Sequence, residues 1–434
     1  MLKELEKKII GRKAKIGIIG LGYVGLPLAV TFAKCGFKVW GIDIDKDRVA
    51  MIQKGESYIL DVSKSDIILV KKEKSLSVTT DFSVIKDLDA VIICVPTPLH
   101  KTKEPDVSFI VSAVRNIKRH MKRGQIVVLE STTYPGTTEE VMLPILEEDG
   151  WKEGKDFYLA FSPERVDPGN PKYDTKNTPK IIGGISKNST DLAKLLYEQA
   201  LEKIIPVSSA KVAEMVKLLE NTFRIVNIGM VNELMVMCDR LKIDVWEVID
   251  AAKTKPYGFM PFYPGPGVGG HCIPVDPIYL SWKARMYGFE ARFIDLAAQV
   301  NSEMPHYAVS KVIEGLNNHK KALNGSKVIV VGVAYKKDVK DLRESPSLEV
   351  IELLMEKGAD VSYYDPLFPY LKIHGIDLKR AAFTKDAFKS ADCVVIVTDH
   401  TNVDYDFILE NSKLVVDTRN VLKDKKERKK IIKL

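Results

Sequence analysis

A cysteine that follows a run of glycines and prolines has the setting that most suggests chemistry. The segment PGPGVGGHCIPVDP spans residues 264–277. Its glycines let backbone N–H groups gather around a thiol, and a helix starting beyond the loop would stabilise a thiolate. We predict that Cys272 is a nucleophile and that Asp276, four residues on, faces the same pocket; the other four cysteines fit inert, buried thiols. His271 stays open between a catalytic role and a structural or substrate contact.

Lys217 and Asn221 form a second candidate pair. They lie in a segment of long helical periodicity that begins near residue 210. Positions i and i+4 share one helix face, so the pair offers a cation and an amide that could stabilise an oxyanion. A solvated surface lysine is the alternative interpretation of Lys217.

The sequence GLGYVG at residues 20–25 follows an apolar run and precedes a helical pattern. Its three glycines would permit a tight turn, close approach of a pyrophosphate, and helix packing. Asp43 ends the next apolar run 18 residues after Gly25, near the spacing of about 20 for an acid that binds a ribose hydroxyl. A carboxylate there repels a 2′-phosphate, so the motif predicts NAD rather than NADP. Asp45 is the alternative ribose ligand, and a glycine turn without ligand is the competing interpretation.

Three more polar loops follow apolar runs: VPTP at 95–98, ESTTYPGTT at 130–138 and SPER at 162–165. The carboxyl ends of parallel strands meet at one edge of a sheet, where ligands bind. Hydroxyls of the first two loops could reach a ribose or a reacting alcohol, although Ser and Thr also cap turns. Glu164 could act as a base or hold a water, whereas a surface ion pair with Arg165 is the alternative.

A second strand-helix-strand pattern begins at residue 328 and repeats the first. Its turn, GVAYK from Gly332, lacks the second and third glycines that a pyrophosphate requires, so we expect a different ligand. Lys336 and Arg343 lie between strand and helix, a natural place to bind phosphate, and Arg419 could join them.

These patterns predict an α/β fold with two Rossmann-like doubly wound domains joined by a central helical domain. We expect an NAD-binding domain at 1–209, a helical domain at 210–318 and a second Rossmann-like domain at 319–434. Strands are predicted at 15–20, 38–44, 90–95, 125–130, 157–161, 179–184, 328–332, 360–364 and 414–417. Helices are predicted at 24–35, 107–121 and 346–358, and from residue 210.

Composition limits the partners. The 65 basic and 58 acidic residues are spread along the chain and give a net charge of +7, a charged surface rather than a nucleic-acid stripe. No apolar run reaches the roughly 20 residues of a membrane span, and the N-terminus lacks a secretory signal. We therefore expect a soluble cytoplasmic protein that binds neither nucleic acid nor membrane.

The cysteines, a lysine-rich segment and an apolar stripe give three further expectations. The five cysteines are far apart without a CxxC pair, which predicts neither a metal site nor a disulfide framework. The lysine-rich segment 423–433 predicts a solvated, fraying terminus. An apolar stripe at Met230, Leu234 and Met237 fits either a partner contact or ordinary core packing.

Together and in this order, these motifs resemble the UDP-glucose/UDP-mannuronic-acid dehydrogenase family, from about residue 15 to about residue 420. The resemblance implies NAD as cofactor, a homodimer or higher homo-oligomer held by the central domain, and a C-terminal domain that binds a UDP-sugar. It also implies a four-electron oxidation of the sugar C6 alcohol. One NAD takes a hydride, Cys272 traps the aldehyde as a thiohemiacetal, a second NAD takes another hydride, and water hydrolyses the thioester to a uronic acid.

The resemblance assigns roles to individual residues. Lys217 and Asn221 would stabilise the oxyanion, and Asp276 would assist water and proton movement. Thr132 and Glu164 would complete the water-handling set. The predicted cofactor-binding residues are Gly20, Gly22, Tyr23, Val24, Gly25, Asp43, Pro96, Thr97, Thr132 and Arg343. The predicted substrate-binding residues are Glu164, Arg165, Lys217, Asn221, Gly269, Gly270, Lys336 and Arg419.

The cysteine segment narrows the implied substrate. The glucose branch typically has GFGGxC with a lysine before the aspartate, whereas GVGGHCIPVD resembles the N-acetylhexosamine branch. Pro168 stands where the glucose branch often has a second glutamate. We expect a UDP-N-acetylglucosamine or UDP-N-acetylmannosamine 6-dehydrogenase serving polysaccharide or glycan biosynthesis. The alternatives are a UDP-glucose 6-dehydrogenase, a two-electron hydroxyacid dehydrogenase of the 6-phosphogluconate type, which needs no Cys272, and a non-enzymatic sensor.

Overall fold

The computed structural model describes residues 1–59, 61–100, 102–167, 170, 172–270, 272–373, 375–425 and 428–434. These residues form two compact units. The first unit consists of Met1–Glu220 with Ile278–Phe289, and the second of Asn221–Pro277 with Glu290–Leu434. The predicted domain boundaries at residues 209 and 318 stay predictions.

An eight-stranded sheet is the centre of the first unit. Its order is β3-β2-β1-β4-β5-β6-β7-β8, and β6 and β7 pair antiparallel while the other neighbours are parallel. The chain reverses its direction of winding between β1 and β4, and such a reversal opens a ligand crevice at the carboxyl ends of the strands. The strands are β1 Lys15–Ile19, β2 Lys38–Ile42, β3 Leu76–Thr79, β4 Ala90–Ile93, β5 Gln125–Leu129, β6 Phe157–Phe161, β7 Lys180–Gly184 and β8 Ile204–Pro206.

Helices accompany this sheet, and β4, β5 and β6 are buried along their whole length. Continuous burial is why these strands read as unbroken apolar runs. The helices are α1 Leu2–Ile10, α2 Gly25–Lys34, α3 Lys46–Lys54, α4 Lys64–Lys72, α5 Ser108–His120, α6 Leu143–Leu146 and α7 Lys187–Tyr197.

The middle of the chain is helical, as its periodicity predicts. The helices are α8 Ala210–Leu241, α9 Val245–Ala252, α10 Asp276–Met286 and α11 Arg292–Asn318. None of the helices in the described ranges contains an apolar stretch of the length that a membrane span requires.

The second unit contains a parallel five-stranded sheet of order β10-β9-β13-β14-β15 and a separate antiparallel hairpin, β11-β12. Both Rossmann-like sheets and the helical centre are present, so the predicted fold class is confirmed. The strands are β9 Lys327–Val331, β10 Asp360–Tyr364, β11 Tyr370–Ile373, β12 Ile376–Lys379, β13 Cys393–Ile396, β14 Val415–Asp417 and β15 Ile431–Lys433, and the helices are α12 Pro346–Glu356, α13 Lys385–Ser390 and α14 Tyr405–Asn411.

The expectation of a fraying, lysine-rich terminus is wrong for its last residues. Strand β15 pairs in parallel with β14, and the buried Leu434 accepts a hydrogen bond at its carbonyl from the Trp246 indole at 3.1 Å. The two isoleucines of β15 give this short segment apolar side chains that the surrounding lysines obscure in the sequence.

Candidate active site

The three glycines of the turn after β1 lie in three different surroundings. Gly20 has φ +89°, and a Cβ there would lie 2.4 Å from the carbonyl oxygen of Cys94. A Cβ on Gly25 would lie 1.8 Å from the carbonyl oxygen of Gly20. Among the described residues, no atom lies within 4 Å of a Cβ placed on Gly22. The backbone is therefore bare and accessible at Gly22, which fits the approach of a diphosphate.

Asp43 orients this turn. It is buried, and its Oδ2 accepts the Leu21 N–H at 2.7 Å while Oδ1 accepts the Asp45 N–H at 2.9 Å. Asp45, the alternative ribose ligand, caps α3 by accepting the N–H groups of Asp47 and Arg48. Asp43 thus combines the predicted position with direct contact to the glycine turn, and the residues present fit a dinucleotide.

The neighbouring predicted cofactor residues differ in exposure. Tyr23 is exposed, Val24 is the N-cap of α2, Pro96 is exposed, and Thr97 is buried and accepts the Tyr279 hydroxyl at its carbonyl.

The loop after β5 uses most of its hydroxyls internally. Ser131 Oγ donates to the Val95 carbonyl at 2.7 Å, and the Thr133 and Thr137 hydroxyls lie 2.7 Å apart. Thr132 is half-buried, and within the described part of the chain its hydroxyl makes no hydrogen bond. Turn stabilisation by Ser and Thr therefore explains its neighbours and leaves Thr132 as the hydroxyl suited to a ligand.

Glu214, on α8, holds the same loop. Its carboxyl group accepts the N–H of Gly136 at 2.5 Å and the N–H and hydroxyl of Thr138 at 2.9 and 2.7 Å. Burial raises the pKa of Glu214 to about 7, and the hydrogen bonds from Thr138 and Gly136 oppose this rise. No local pattern in the sequence points to Glu214, because its partners lie more than 70 residues away.

Glu164 contacts a lysine rather than the neighbouring arginine. Lys180 Nζ lies 3.2 Å from Glu164 Oε2 and 2.7 Å from Glu130 Oε2. Arg165 instead pairs with Glu220, with Nη2 2.6 Å from Oε1, and donates to the Pro179 carbonyl. The alternative of a surface Glu164–Arg165 pair is therefore wrong, because each side chain has a different partner.

Lys217 is 9% exposed, so the interpretation of a solvated surface lysine is wrong. It lies on α8 in the first unit, one helical turn before Asn221. Thr132 and Glu164 also belong to the first unit, whereas Asn221, Cys272 and Asp276 belong to the second.

In the second unit, the cysteine loop ends in a helix as the sequence predicts. Helix α10 begins at Asp276, and the Cys272 carbonyl accepts the Asp276 N–H at 2.8 Å. Cys272 is exposed. The buried Asp276 accepts a hydrogen bond at Oδ2 from Asn221 Nδ2 at 2.5 Å. The structure therefore brings three predicted catalytic residues together, and the bond between Asn221 and Asp276 is a contact that the sequence did not reveal.

The glycines before Cys272 serve packing more than the gathering of N–H donors around the thiol. A Cβ on Gly269 would lie 2.7 Å from the carbonyl oxygen of Glu344, and one on Gly270 would lie 2.8 Å from the Tyr335 ring. Gly270 donates its N–H to the Arg343 carbonyl at 3.0 Å. Bulkier residues would push this loop away from the turn that carries Lys336.

The second Rossmann turn repeats the first with a different partner. Gly332 has φ +84°, and Asp365 Oδ2 accepts the Val333 N–H at 2.7 Å, the equivalent of the bond between Leu21 and Asp43. The buried His400 lies with Nε2 3.0 Å from the same Oδ2. Its Nδ1 accepts the Asp338 N–H at 3.0 Å, so His400 holds the loop next to Lys336.

The two predicted arginines of this region are both engaged. Arg343 is half exposed and pairs with Asp341, with Nη2 2.7 Å from Oδ2. Arg419 donates from Nε to the Val397 carbonyl at 2.8 Å and lies against the bare backbone of Gly265. His271 and Pro168 lie outside the described residues.

Comparison with known proteins identifies the family to which this chain belongs. Residues 14–201, 211–303 and 329–424 match the NAD binding, central and UDP binding domains of the UDP-glucose/GDP-mannose dehydrogenase family. The chain belongs to this family. It is therefore an NAD-dependent dehydrogenase, and the predicted family, cofactor and enzyme class are confirmed.

Individual relatives within the family are similar over more than four fifths of their length. The UDP-N-acetyl-D-mannosamine dehydrogenase of Methanococcus maripaludis is 37% identical over 94% of this chain and 93% of its own. The UDP-N-acetyl-D-glucosamine 6-dehydrogenase of Pseudomonas aeruginosa is 37% identical over 81% of this chain and 82% of its own. The solved UDP-D-ManNAc dehydrogenase of Pyrococcus horikoshii superposes with a TM-score of 0.88 at 34% identity, covering 96% of this chain and 98% of that one.

Proposed function

We propose that this enzyme oxidises the C6 hydroxyl of a UDP-N-acetylhexosamine, UDP-N-acetylmannosamine or UDP-N-acetylglucosamine, to the uronic acid. The observation that carries the proposal is the exposed Cys272 thiol immediately before α10, beside the hydrogen-bonded Asn221–Asp276 pair. A dehydrogenase that removes only two electrons has no need of a nucleophile at this position. The relatives named for N-acetylated sugars support the substrate class.

The first unit would hold the cofactor through its glycine turn and Asp43. NAD supplies a hydride acceptor, and two equivalents are consumed for each sugar. The accessible backbone at Gly22 would face the diphosphate, and the half-buried Thr132 hydroxyl remains available for a ribose or a water.

Cys272 would carry the substrate through its second oxidation. After the first oxidation, the thiolate attacks the C6 aldehyde and forms a C–S bond, and the oxyanion takes a proton to give a thiohemiacetal. Loss of a second hydride and of the hydroxyl proton gives a thioester. Water then attacks C6, the C–S bond breaks, and the thiolate leaves to regenerate Cys272.

The remaining residues would manage charge and water. Lys217 supplies a cation and Asn221 an amide for the tetrahedral oxyanion, and the bond to Asp276 fixes the orientation of that amide. Asp276 and Glu164 are carboxylates suited to orient water and move protons.

NADH production with three sugars tests the proposal. UDP-N-acetylglucosamine or UDP-N-acetylmannosamine should yield two NADH per sugar, whereas UDP-glucose should react slowly. Cys272→Ser should abolish uronate formation, and Cys35→Ser serves as the matched control because Cys35 caps the C-terminal end of α2, opposite to the end at the glycine turn. Rapid turnover of UDP-glucose with neither N-acetyl sugar used would refute the substrate class. A yield of one NADH per sugar would indicate the two-electron alternative.

We also propose that the enzyme self-associates through the stripe on α8. Met230, Leu234 and Met237 are 38–47% exposed in the single chain, so core packing within the chain does not account for them. They recur on one helix face, as in a buried helix pair. Met230→Glu with Met237→Glu should lower the molar mass measured by light scattering to that of one chain, 48.7 kDa. An unchanged mass would place the contact elsewhere.

We place the enzyme in the cytoplasm, in the synthesis of polysaccharide or glycan precursors. Among the described residues, which include all five cysteines, no disulfide is formed, and this suits a reducing compartment. Separation of soluble and membrane fractions, followed by assay for NADH formation in each, tests the location.

A further inference from the structure

Lys180 is a buried cation that the proposed chemistry does not yet use. It is 4% exposed, on β7, and its Nζ lies 2.7 Å from Glu130 Oε2 and 3.2 Å from Glu164 Oε2. Glu130 is also buried and accepts the Tyr197 hydroxyl at 2.5 Å. One ammonium therefore faces two carboxylates inside the first unit, and removing it would leave two uncompensated negative charges.

Glu164 is held at both of its oxygens. Oε1 accepts the N–H groups of Arg165 and Val166, each at 2.7 Å, and Oε2 receives Lys180. The Glu164 side chain is 15% exposed, so it connects the buried cluster with the surface at the carboxyl end of β6. Glu130 has no such exposure.

The two carboxyl groups respond oppositely to this setting. Burial raises the pKa of Glu130 and outweighs the nearby Lys180 ammonium. Burial also acts to raise the pKa of Glu164, but Lys180 and the backbone N–H of Val166 outweigh it, and the net shift is downward. The first proton taken up by the cluster therefore goes to Glu130 and leaves Glu164 ionised.

We propose that Lys180 is a positioning residue for the hydrolytic step, which fixes the Glu164 carboxylate toward the attacking water and compensates its charge. This inference rests on the proposed function, because Glu164 has a water-handling role only there. Lys180 touches neither substrate nor cofactor in this scheme and acts through Glu164. Glu130 anchors Lys180 from the opposite side.

The groups that face Glu164 determine the expected pH dependence. In the part of the first unit that the structure describes, the charged and titratable groups around Glu164 are Lys180 from β7, Glu130 after β5, Tyr197 from α7, Cys94 after β4, and the Arg165–Glu220 pair. Lys180 is the cation in direct contact with Glu164. Its removal should therefore shift the acidic limb of the pH profile of kcat to higher pH.

The test compares the pH dependence of kcat in four proteins. Lys180→Met should move the acidic limb of kcat upward by about 1–3 pH units, the usual effect of an opposite charge in contact. Because that variant buries unpaired carboxylates, Glu130→Gln with Lys180→Met is the second arm. It keeps the net charge of the cluster at the wild-type value, favours folding, and should still raise the limb. Lys311→Met is the matched control, since Lys311 is also buried between two carboxylates, Asp239 and Glu314, in the second unit.

A second readout isolates the hydrolytic step. With Glu164 protonated or displaced, thioester hydrolysis slows, so mass spectrometry of acid-quenched enzyme should show a covalent sugar adduct on Cys272 in the double variant and not in wild type. A uniform loss of kcat at every pH, with no movement of the limb and no adduct, would assign Lys180 a structural role and overturn the proposal.

The wild-type reaction separates the two proposals. If wild type yields two NADH per sugar and the Lys180 variants follow the control, only the role of Lys180 fails. If wild type oxidises no UDP-N-acetylhexosamine, the proposed function itself fails.

Discussion

Alanine at Gly22 should weaken cofactor binding while leaving the fold intact. The added methyl group meets no atom of the described residues within 4 Å, and Gly22 does not have the positive φ that strains alanine. The free energy of unfolding should therefore change by less than about 0.5 kcal/mol, as for a neutral surface substitution. If the diphosphate of NAD lies on this backbone, the methyl group occupies its space instead.

The size of the loss can be estimated from the cost of forcing a methyl group into a filled space, about 1–3 kcal/mol. This corresponds to a weakening of NAD affinity by about 5- to 150-fold. Gly25→Ala provides the contrast, because its Cβ would lie 1.8 Å from the Gly20 carbonyl oxygen, so the protein must shift even without ligand. At about 2–4 °C per kcal/mol for a unit of this size, Gly25→Ala should lower Tm by about 2–12 °C.

Calorimetric titration with NADH and thermal unfolding without ligand measure both quantities. Gly22→Ala should keep the wild-type Tm and lose affinity, and Gly25→Ala should lose both. A Gly22→Ala protein that binds NADH as wild type does would refute the placement of the diphosphate at this turn.

Three further predictions concern single residues. Cys272→Ala should stop uronate formation completely, and full conversion by that variant, measured as product by chromatography, would sink the thioester route. Burial raises the pKa of Glu214 in the folded chain to about 7. Between about pH 4.5 and 7 the folded chain therefore holds a proton that the unfolded chain loses. The free energy of unfolding falls as the pH rises through this range. Denaturant unfolding should show this fall, up to about 3 kcal/mol, flattened in Glu214→Gln; equal slopes would contradict it. His400→Ala frees the loop beside Lys336, because it removes the acceptor of the Asp338 N–H. It should raise the KM for the UDP-sugar about tenfold, or about 1.4 kcal/mol, without changing the KM for NAD. Parallel changes in both KM values would point to general unfolding.

The sequence predicts those strands and helices whose burial produces a pattern among neighbouring residues. Strands β1, β4 and β5 read as apolar runs because both faces are buried, and α8 begins at Ala210, where the helical periodicity begins. The sequence pattern does not predict several strands of three or four residues, which are too short to show a period, among them the hairpin of β11 and β12 and the terminal strand β15.

The candidate site was predictable only where a motif carries its own geometry. The turn with Asp43 and the loop with Cys272 have fixed spacing along the chain. The partners of Glu164 do not, because Lys180 is 16 residues from Glu164 and 50 from Glu130, and only the pairing of the sheet brings them together. The sequence predicts that the glycines before Cys272 gather N–H groups around the thiol, whereas their contacts with Tyr335 and Glu344 depend on a distant turn.

The imidazole of His400 has a consequence for attempts to redesign the second turn. Restoring glycines at Val333 and beyond would recreate the motif of the first turn in sequence, yet Asp365 would remain tied to His400 and closed to a ribose. Converting this turn to dinucleotide recognition therefore requires at least one change some 65 residues downstream of the motif. The two turns have similar geometry, and the side chain that distinguishes them, His400, lies outside both of them.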